Sequence, residues 1–355
     1  MTSGRLLLVA NPQGTHVGAH LYEAAQALGV PVRLCDVNQA FDAPRWLVRL
    51  NWQLRGRRPA QLRTFSKSVV QVCRDFQPSC LLSTGIAPLD AEALIAIRDL
   101  GIARLNYLTD DPCNPAHCAT FFLRALPHYD RVFSPRQSNL NSLRAHGCHE
   151  VSYLPFAYAP SQHFGDHAAP GEGSGLASDI IFVGGADRDR LPLLTALIDT
   201  GLRVALYGAY WNQYPKARQH YRGLADSQTV RQATSAAKIV LCLVRRANRD
   251  GHVMRSFEIP AIGACMLVED TQEHRAIFGP DGESVVYFRS TPQMIEKTRW
   301  LLDRPSERQR LAAAAHARIT TGANTYHDRL AAMLGLPYNG LRGLSSRQAE
   351  RACSA

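Results

Sequence analysis

Short runs of unbroken apolar residues alternate along this chain with longer stretches in which apolar positions recur every three or four residues. The first run, Arg5-Leu6-Leu7-Leu8-Val9-Ala10, leads through the turn Asn11-Pro12-Gln13-Gly14 into an amphipathic stretch over 17–28 that Gly29 ends. The same reading predicts strands at 31–37, 80–83, 103–108, 131–133 and 151–154, with helices at 66–76, 90–100 and 138–146 between them. Between 159 and 178 the text turns to Pro, Ser, Gly, His and Ala, which predicts a linker. Alternation then resumes, with strands at 180–183, 203–207, 239–243 and 264–268 and helices at 188–198, 230–237, 254–262, 292–302, 306–319 and 326–334. Strands alternating with helices of this length predict right-handed βαβ units and parallel sheets covered on both faces. The expected architecture is α/β, two doubly wound, Rossmann-like domains facing a cleft. The expected boundaries are 1–160, a linker at 161–178, 179–325, a helix at 326–338 packing back on the first domain, and a loose tail at 339–355. Ligand is expected where the carboxyl ends of the strands face the cleft.

Composition agrees with this picture and narrows it. The 355 residues are 46% hydrophobic and 20% charged, which excludes general disorder and allows two domains of about 150 residues. No apolar run approaches the roughly 20 residues of a membrane span, and the first is too short for a signal peptide, so a cytoplasmic protein is expected. The net charge is +10, and of 40 basic residues only Lys67, Lys216, Lys238 and Lys297 are lysines. Such a balance attracts phosphates of any kind. No nucleic-acid reader motif accompanies the charge, so no nucleic-acid partner is expected. Nine cysteines without the density of a disulfide scaffold predict reduced thiols.

Several positions carry candidate chemistry. Phe182-Val183-Gly184-Gly185 ends a strand just before the helix that opens at Arg188, so backbone N–H groups and the helix dipole could receive a diphosphate there; a tight turn that needs glycine explains the spelling equally well. Asp187-Arg188-Asp189 has a D-x-D spacing, but acidic residues are ordinary at a helix start, and the expectation is no metal. Asp250 and Glu258 stand eight residues apart, with Arg255 and Ser256 near a helix start between them. Asp110 and Asp111 follow a strand, where a carboxylate could take a proton from an incoming hydroxyl or simply cap the turn before Pro112. His16 lies in the first strand-to-helix loop, as a candidate base or a turn residue. Cys113, His117, Cys118, Cys148 and His149 lack the paired spacing of a zinc site. Arg45, Arg49, Arg55, Arg57, Arg58 and Arg63, interleaved with Trp46 and Trp52, read as a solvated basic helix face or as a contact with a membrane surface or an anionic acceptor.

The stretches Ala237-Lys238-Ile239-Val240-Leu241, Arg255-Ser256-Phe257-Glu258-Ile259-Pro260-Ala261-Ile262-Gly263, Glu283-Ser284-Val285-Val286-Tyr287-Phe288 and Thr325-Tyr326-His327-Asp328-Arg329-Leu330 resemble the GT-B group-1 glycosyltransferases of the spore-maturation-protein-like kind. Asp110-Asp111-Pro112 and Tyr153-Leu154-Pro155-Phe156-Ala157 add weaker likeness. The resemblance implies the GT-B fold, a nucleotide-sugar donor on the second domain and a glycan, protein or small-molecule acceptor on the first. It implies no cofactor beyond the donor itself. In related retaining enzymes an E-x7-E motif holds the donor. Glu258 matches its second acid, which binds the ribose, while Asp250 stands where the first acid lies beside the transferred sugar. Arg188, Arg190, Arg245 and Arg255 are the candidates for holding the diphosphate. The segment Tyr221-Arg222-Gly223-Leu224 resembles the one that meets the nucleobase, with Tyr207 or Trp211 beside it. The motif favours retention of configuration, whereas a base at Asp110, Asp111 or His16 would favour inversion. A non-catalytic nucleotide-sugar or glycan-binding protein and a sugar-nucleotide epimerase stay open as alternatives.

Overall fold

Leu6–Ala10 is buried along its whole length, as a strand covered by helices on both faces must be. The computed structural model describes residues 4–165 and 175–337, so part of the expected linker and the whole expected tail lie outside the described residues. The first sheet is built from β1 (Leu6–Ala10), β2 (Val32–Asp36), β3 (Cys80–Thr84), β4 (Ala103–Tyr107), β5 (Arg131–Ser134) and β6 (Glu150–Tyr153). Its spatial order is β2-β1-β3-β4-β5-β6 and every pair is parallel. The connections carry α1 (Val17–Ala27), α2 (Arg45–Leu54), α3 (Leu62–Phe76), α4 (Ala91–Asp99), α5 (Thr120–Ala125) and α6 (Leu140–Ala145).

The second sheet repeats the plan. β7 (Ser178–Val183), β8 (Val204–Tyr207), β9 (Tyr221–Gly223), β10 (Ala237–Cys242), β11 (Met266–Glu269) and β12 (Val286–Phe288) lie in the order β12-β11-β10-β7-β8-β9, again all parallel. Around them run α7 (Arg190–Ile198), α8 (Pro215–Arg218), α9 (Ser227–Ala236), α10 (Arg255–Ile262), α11 (Gln272–Phe278), α12 (Thr291–Leu302), α13 (Pro305–Thr320) and α14 (Tyr326–Leu334). In each sheet the order reverses once, between β1 and β3 and between β7 and β10. Such a reversal opens a crevice at the carboxyl ends of the strands.

Local chemistry sets the helix ends. Asp90, Asp226, Thr271 and Ser290 each accept a backbone N–H at a helix start. α14 opens with a capping box between Thr325 and Asp328. The helix predicted from Arg188 begins at Arg190, because the Asp187 carboxylate accepts from the N–H groups of Asp189 and Arg190 at 3.0 and 2.9 Å. The segment 221–223, outside the predicted strands, is an edge strand, and β12 is a second three-residue strand at the opposite edge.

α14 follows the second domain but packs on α1 of the first. His20 of α1 stacks on Tyr326 at 5.1 Å and meets the His163 ring edge-on at 5.5 Å. Arg329 is buried and donates to the carbonyls of Pro155, Phe156 and Ala323 at 2.7, 2.9 and 2.6 Å. One buried apolar cluster accordingly runs from Leu6 and Leu21 through Phe156 to Ile181, Phe257 and Leu330.

Two predictions follow from this seam and from the buried His274 of α11. Arg329→Met leaves three carbonyls without their donor, so the full chain should lose about 3 kcal/mol or more of stability, read from denaturant unfolding. Burial pushes the imidazoles of His20, His163 and His274 down to about 4, 3 and 4. Their folded pKa values lie below the unfolded one, so their contribution is complete above about pH 6.5 and is lost as the pH falls toward 4. At pH 5 each should cost about 2 kcal/mol, so the melting temperature should drop between pH 7 and 5, and less steeply in His20→Phe.

Candidate active site in the interdomain cleft

Strand ends from both sheets converge on a cavity of about 200 Å³. Thr109 and Asp110 reach it from the end of β4, Arg136 from beyond β5 and Phe156 from beyond β6. Phe182 and Val183 of β7, Arg190 of α7, the segment Leu243–Asp250 after β10, and Val253 to Arg255 at the start of α10 form the opposite wall. The reversal point between β7 and β10 therefore lies inside the cavity wall, and Arg190 spans it by donating to Gly185 O and Leu243 O, both at 3.3 Å.

Four arginines line the cavity: Arg136, Arg190, Arg245 and Arg255. Burial lowers the pKa of Arg190, with the charge of Arg245 adding to it, and brings Arg255 down to about 10. Asp187 stands between two of them, its Oδ2 at 3.5 Å from Arg190 Nε and 3.6 Å from Arg245 Nε. Arg136 stacks on the Phe156 ring at 5.6 Å, and its buried Nη1 has no hydrogen-bond partner among the described residues. A buried donor left unpaired is costly, and an anion in the cavity would satisfy it.

The glycine seat expected at Gly184-Gly185 is largely taken. Gly184 N–H donates to Tyr207 O at 2.8 Å, and Gly184 O accepts from the Trp211 indole at 2.7 Å. Gly208, at φ +124°, passes so close that a Cβ there would lie 2.5 Å from Gly184 O, so these glycines serve a close crossing of two loops. The N–H groups at the start of α7 are bound to Asp187, leaving side chains to meet a phosphate. Asp187 commits both oxygens within the protein and Asp189 is exposed, so the D-x-D pair does not converge on one point. Arg188 and Arg222 are exposed and do not line the cavity, Gly223 lies in the edge strand β9, and Tyr207 and Trp211 are buried in the second domain's core.

The segment 245–252 is strapped to the first domain. Asp250 pairs with Arg136, and both side chains are under 5% exposed. Burial pushes the Asp250 carboxyl up against the pull of Arg136. Arg249 grips Asp111 with two bonds, 2.7 and 3.1 Å, and also reaches Asn139 at 3.1 Å. Asn248 accepts from Asn114 at 2.6 Å and donates to Asp110 at 3.4 Å. His252 donates to Glu273 at 2.6 Å while its Nε2 accepts from Phe156 N–H at 3.2 Å.

On the first-domain side, Asp110 lines the cavity, whereas Asp111 is buried by Arg249 and by the turn at Cys113 that it caps. His16 sits exposed at the start of α1; partial burial lowers its pKa, and the Asp110 charge opposes that only in part. The net shift favours the neutral ring.

Glu258 and Ser256 were read as cleft residues, and the structure turns both inward. Glu258 is 1% exposed, paired with Arg255 and 3.8 Å from His163 Nε2. Ser256 is fully buried, its hydroxyl accepting from Val253 N–H and donating to His274. On a helix whose residues 256–262 are all buried, only its first turn can reach the cleft. Among the described residues, His20, His163 and Glu258 form the one group close enough to hold a metal ion. His163 Nδ1 accepts from Ala159 N–H, which leaves the ring proton on Nε2, and Arg255 already neutralises Glu258. The donor set does not suit a cation.

Residues 190–335 match the family described as glycosyl transferase-like. No curated protein matches the chain in sequence. Among solved structures, the sucrose-phosphate synthase of Thermosynechococcus elongatus superposes with a TM-score of 0.68 at 12% identity, over 93% of this chain and 97% of that one. The Anabaena protein HepE in complex with UDP-glucose gives 0.61 at 12% identity, over 93% and 99%. A putative UDP-N-acetylglucosamine 2-epimerase from Listeria monocytogenes gives 0.56 at 14%, over 93% and 95%. The chain thus has the GT-B fold, and residues 190–335 of its C-terminal half match the glycosyl transferase-like family.

Proposed function

We propose that the protein is a glycosyltransferase that holds a nucleotide-sugar donor in the interdomain cleft and passes its sugar to an acceptor approaching from the first domain. The observation that carries this reading is the convergence of Arg136, Arg190, Arg245 and Arg255 on one cavity, with a buried guanidinium nitrogen of Arg136 unsatisfied. A diphosphate supplies the oxygens such a set calls for. The family pattern over 190–335 and the UDP-glucose bound by the similarly folded HepE point the same way.

In this scheme Asp187 holds Arg190 and Arg245 toward the cavity, and the guanidinium groups stabilise the negative charge that grows on the departing diphosphate. No metal is required, since Asp187 is committed to the protein. Asp110, with His16 near it, orients the acceptor hydroxyl, whose proton passes to the departing diphosphate as the sugar is transferred. Asp250 faces the transferred sugar, and the E-x7-E likeness favours retention of configuration. Glu258 reaches the ribose only if its pair with Arg255 opens. A cavity of about 200 Å³ is smaller than the roughly 300–1,000 Å³ of typical ligand sites, so the donor enters when the strap at 245–252 swings from the first domain. Its return excludes water from the reacting centre.

An epimerase on the same fold is the second reading, favoured by the Listeria structure. Incubation with a panel of nucleotide sugars separates the two: a transferase releases nucleoside diphosphate, faster with acceptor, while an epimerase isomerises the donor with no acceptor present. We expect release, unchanged by excess EDTA, and a product anomer of the donor's configuration by NMR. Arg245 is the most accessible of the arginines beside Asp187, so Arg245→Ala should fold normally and bind nucleoside diphosphate about 10- to 150-fold more weakly by calorimetry. Unchanged affinity would remove the diphosphate from this cavity.

A further inference from the structure

α2 is unlike the other helices. Trp46, Leu50 and Leu54 stand four residues apart along one line of it and are 67%, 38% and 75% exposed. Phe41, before the helix, and Trp52, on another face of it, are also exposed, so five of the nine large apolar side chains exposed among the described residues fall within 41–54. A patch so concentrated marks an interaction surface. Its charge is equally one-sided. No acid occurs from 43 to 74, whereas Arg45, Arg49, Arg55, Arg57, Arg58, Arg63, Lys67 and Arg74 do.

Among the described residues, none of Arg45, Arg49, Arg55, Arg58 and Arg63 has an ion-pair partner within 4 Å. Arg55, Arg58 and Arg63 join Arg124 around a second cavity of about 400 Å³ whose acids are Asp90 and Glu92. Arg57 differs from its neighbours. It stacks near Trp52 and donates to the carbonyls of Pro115 and Cys118, tying the end of α2 to the loop that follows Asp110-Asp111.

We propose that α2 and the arginines around it dock the protein on an anionic lipid bilayer, with Trp46, Leu50 and Leu54 entering the headgroup boundary and the guanidinium groups meeting lipid phosphates. A helix with an apolar line, tryptophans and a basic flank is suited to lie in that plane. The charge complementarity selects an anionic surface, and the protruding apolar row selects a bilayer over a soluble polyanion, which offers nothing to bury it. Docked this way, the bilayer adjoins the loop that carries the acceptor-side acids. The proposal stands independently of glycosyl transfer.

Co-sedimentation of the full chain with vesicles tests it. Vesicles of 70% phosphatidylcholine and 30% phosphatidylglycerol should bind the protein, pure phosphatidylcholine should not, and binding should weaken in 0.5 M salt. Arg45→Glu with Arg49→Glu should lower the partition coefficient roughly 10- to 30-fold or more. Trp46→Ser, Leu50→Ser and Leu54→Ser together should lower it at least about tenfold. Melting temperatures near wild type check that the variants fold, and Leu54→Glu alone serves if the triple variant does not. No binding to the anionic vesicles overturns the proposal. So does an apolar variant that binds them as tightly as wild type, which would assign the surface to a soluble polyanion such as a nucleic acid.

Discussion

Arg136 pairs with Asp250 across the boundary between the two sheets, and one residue earlier Arg249 pairs with Asp111. Two successive residues of one loop thus hold the carboxyl ends of both sheets face to face, and the positions of the other cleft groups depend on that clasp. It closes the wall in which Arg190, Arg245 and Arg255 stand, and it sets Asp110 opposite them. The buried Arg136–Asp250 pair adds little net stability but fixes one arrangement sharply, because removing one partner leaves the other charged and dry, whereas Arg249 keeps contact with water. An interdomain contact made of such pairs can open as a unit when a ligand offers the arginines better oxygens.

A second set of contacts between the domains is of another kind. The seam of His20, His163, Tyr326 and Arg329 is dry and continuous with the apolar core. It brings α14 onto α1 and should persist while the strap moves, as the fixed side of a hinge. The two features divide the interface into a packed edge and a polar, cleavable one. That division leaves a cavity of about 200 Å³ between the domains.

The architecture was legible because parallel strands buried on both faces leave unbroken apolar runs, as at Leu6–Ala10 and Ile239 to Cys242. The edge strand β9, three residues with one side unpaired, needs no such run, and β12 lies in a four-residue run, Val285 to Phe288, at the short limit of what predicts a strand. Strand ends and the helix start at Arg255 likewise point to Asp110, Asp250 and Arg255 as cavity residues, while Arg190 and Arg245 come only from the family resemblance. Arg136 gave no signal: in a chain so rich in arginine, one more after Ser134-Pro135 has no motif, and its role comes from Asp250, far off in sequence. Glu258 and Ser256 misled in the opposite way. An eight-residue spacing says nothing about which face of α10 is buried, and here Arg255 covers the glutamate.

The central claim is that the arginine-lined cleft is a seat for a diphosphate. Calorimetric titration of the full chain with one nucleoside and with its mono- and diphosphates, at low and moderate salt, tests that most directly. Affinity should rise with each phosphate, the diphosphate binding at least about 100-fold more tightly than the nucleoside and losing most of that advantage as salt is added. Equal affinity across the series, or no binding of the diphosphate at low salt, would contradict the account.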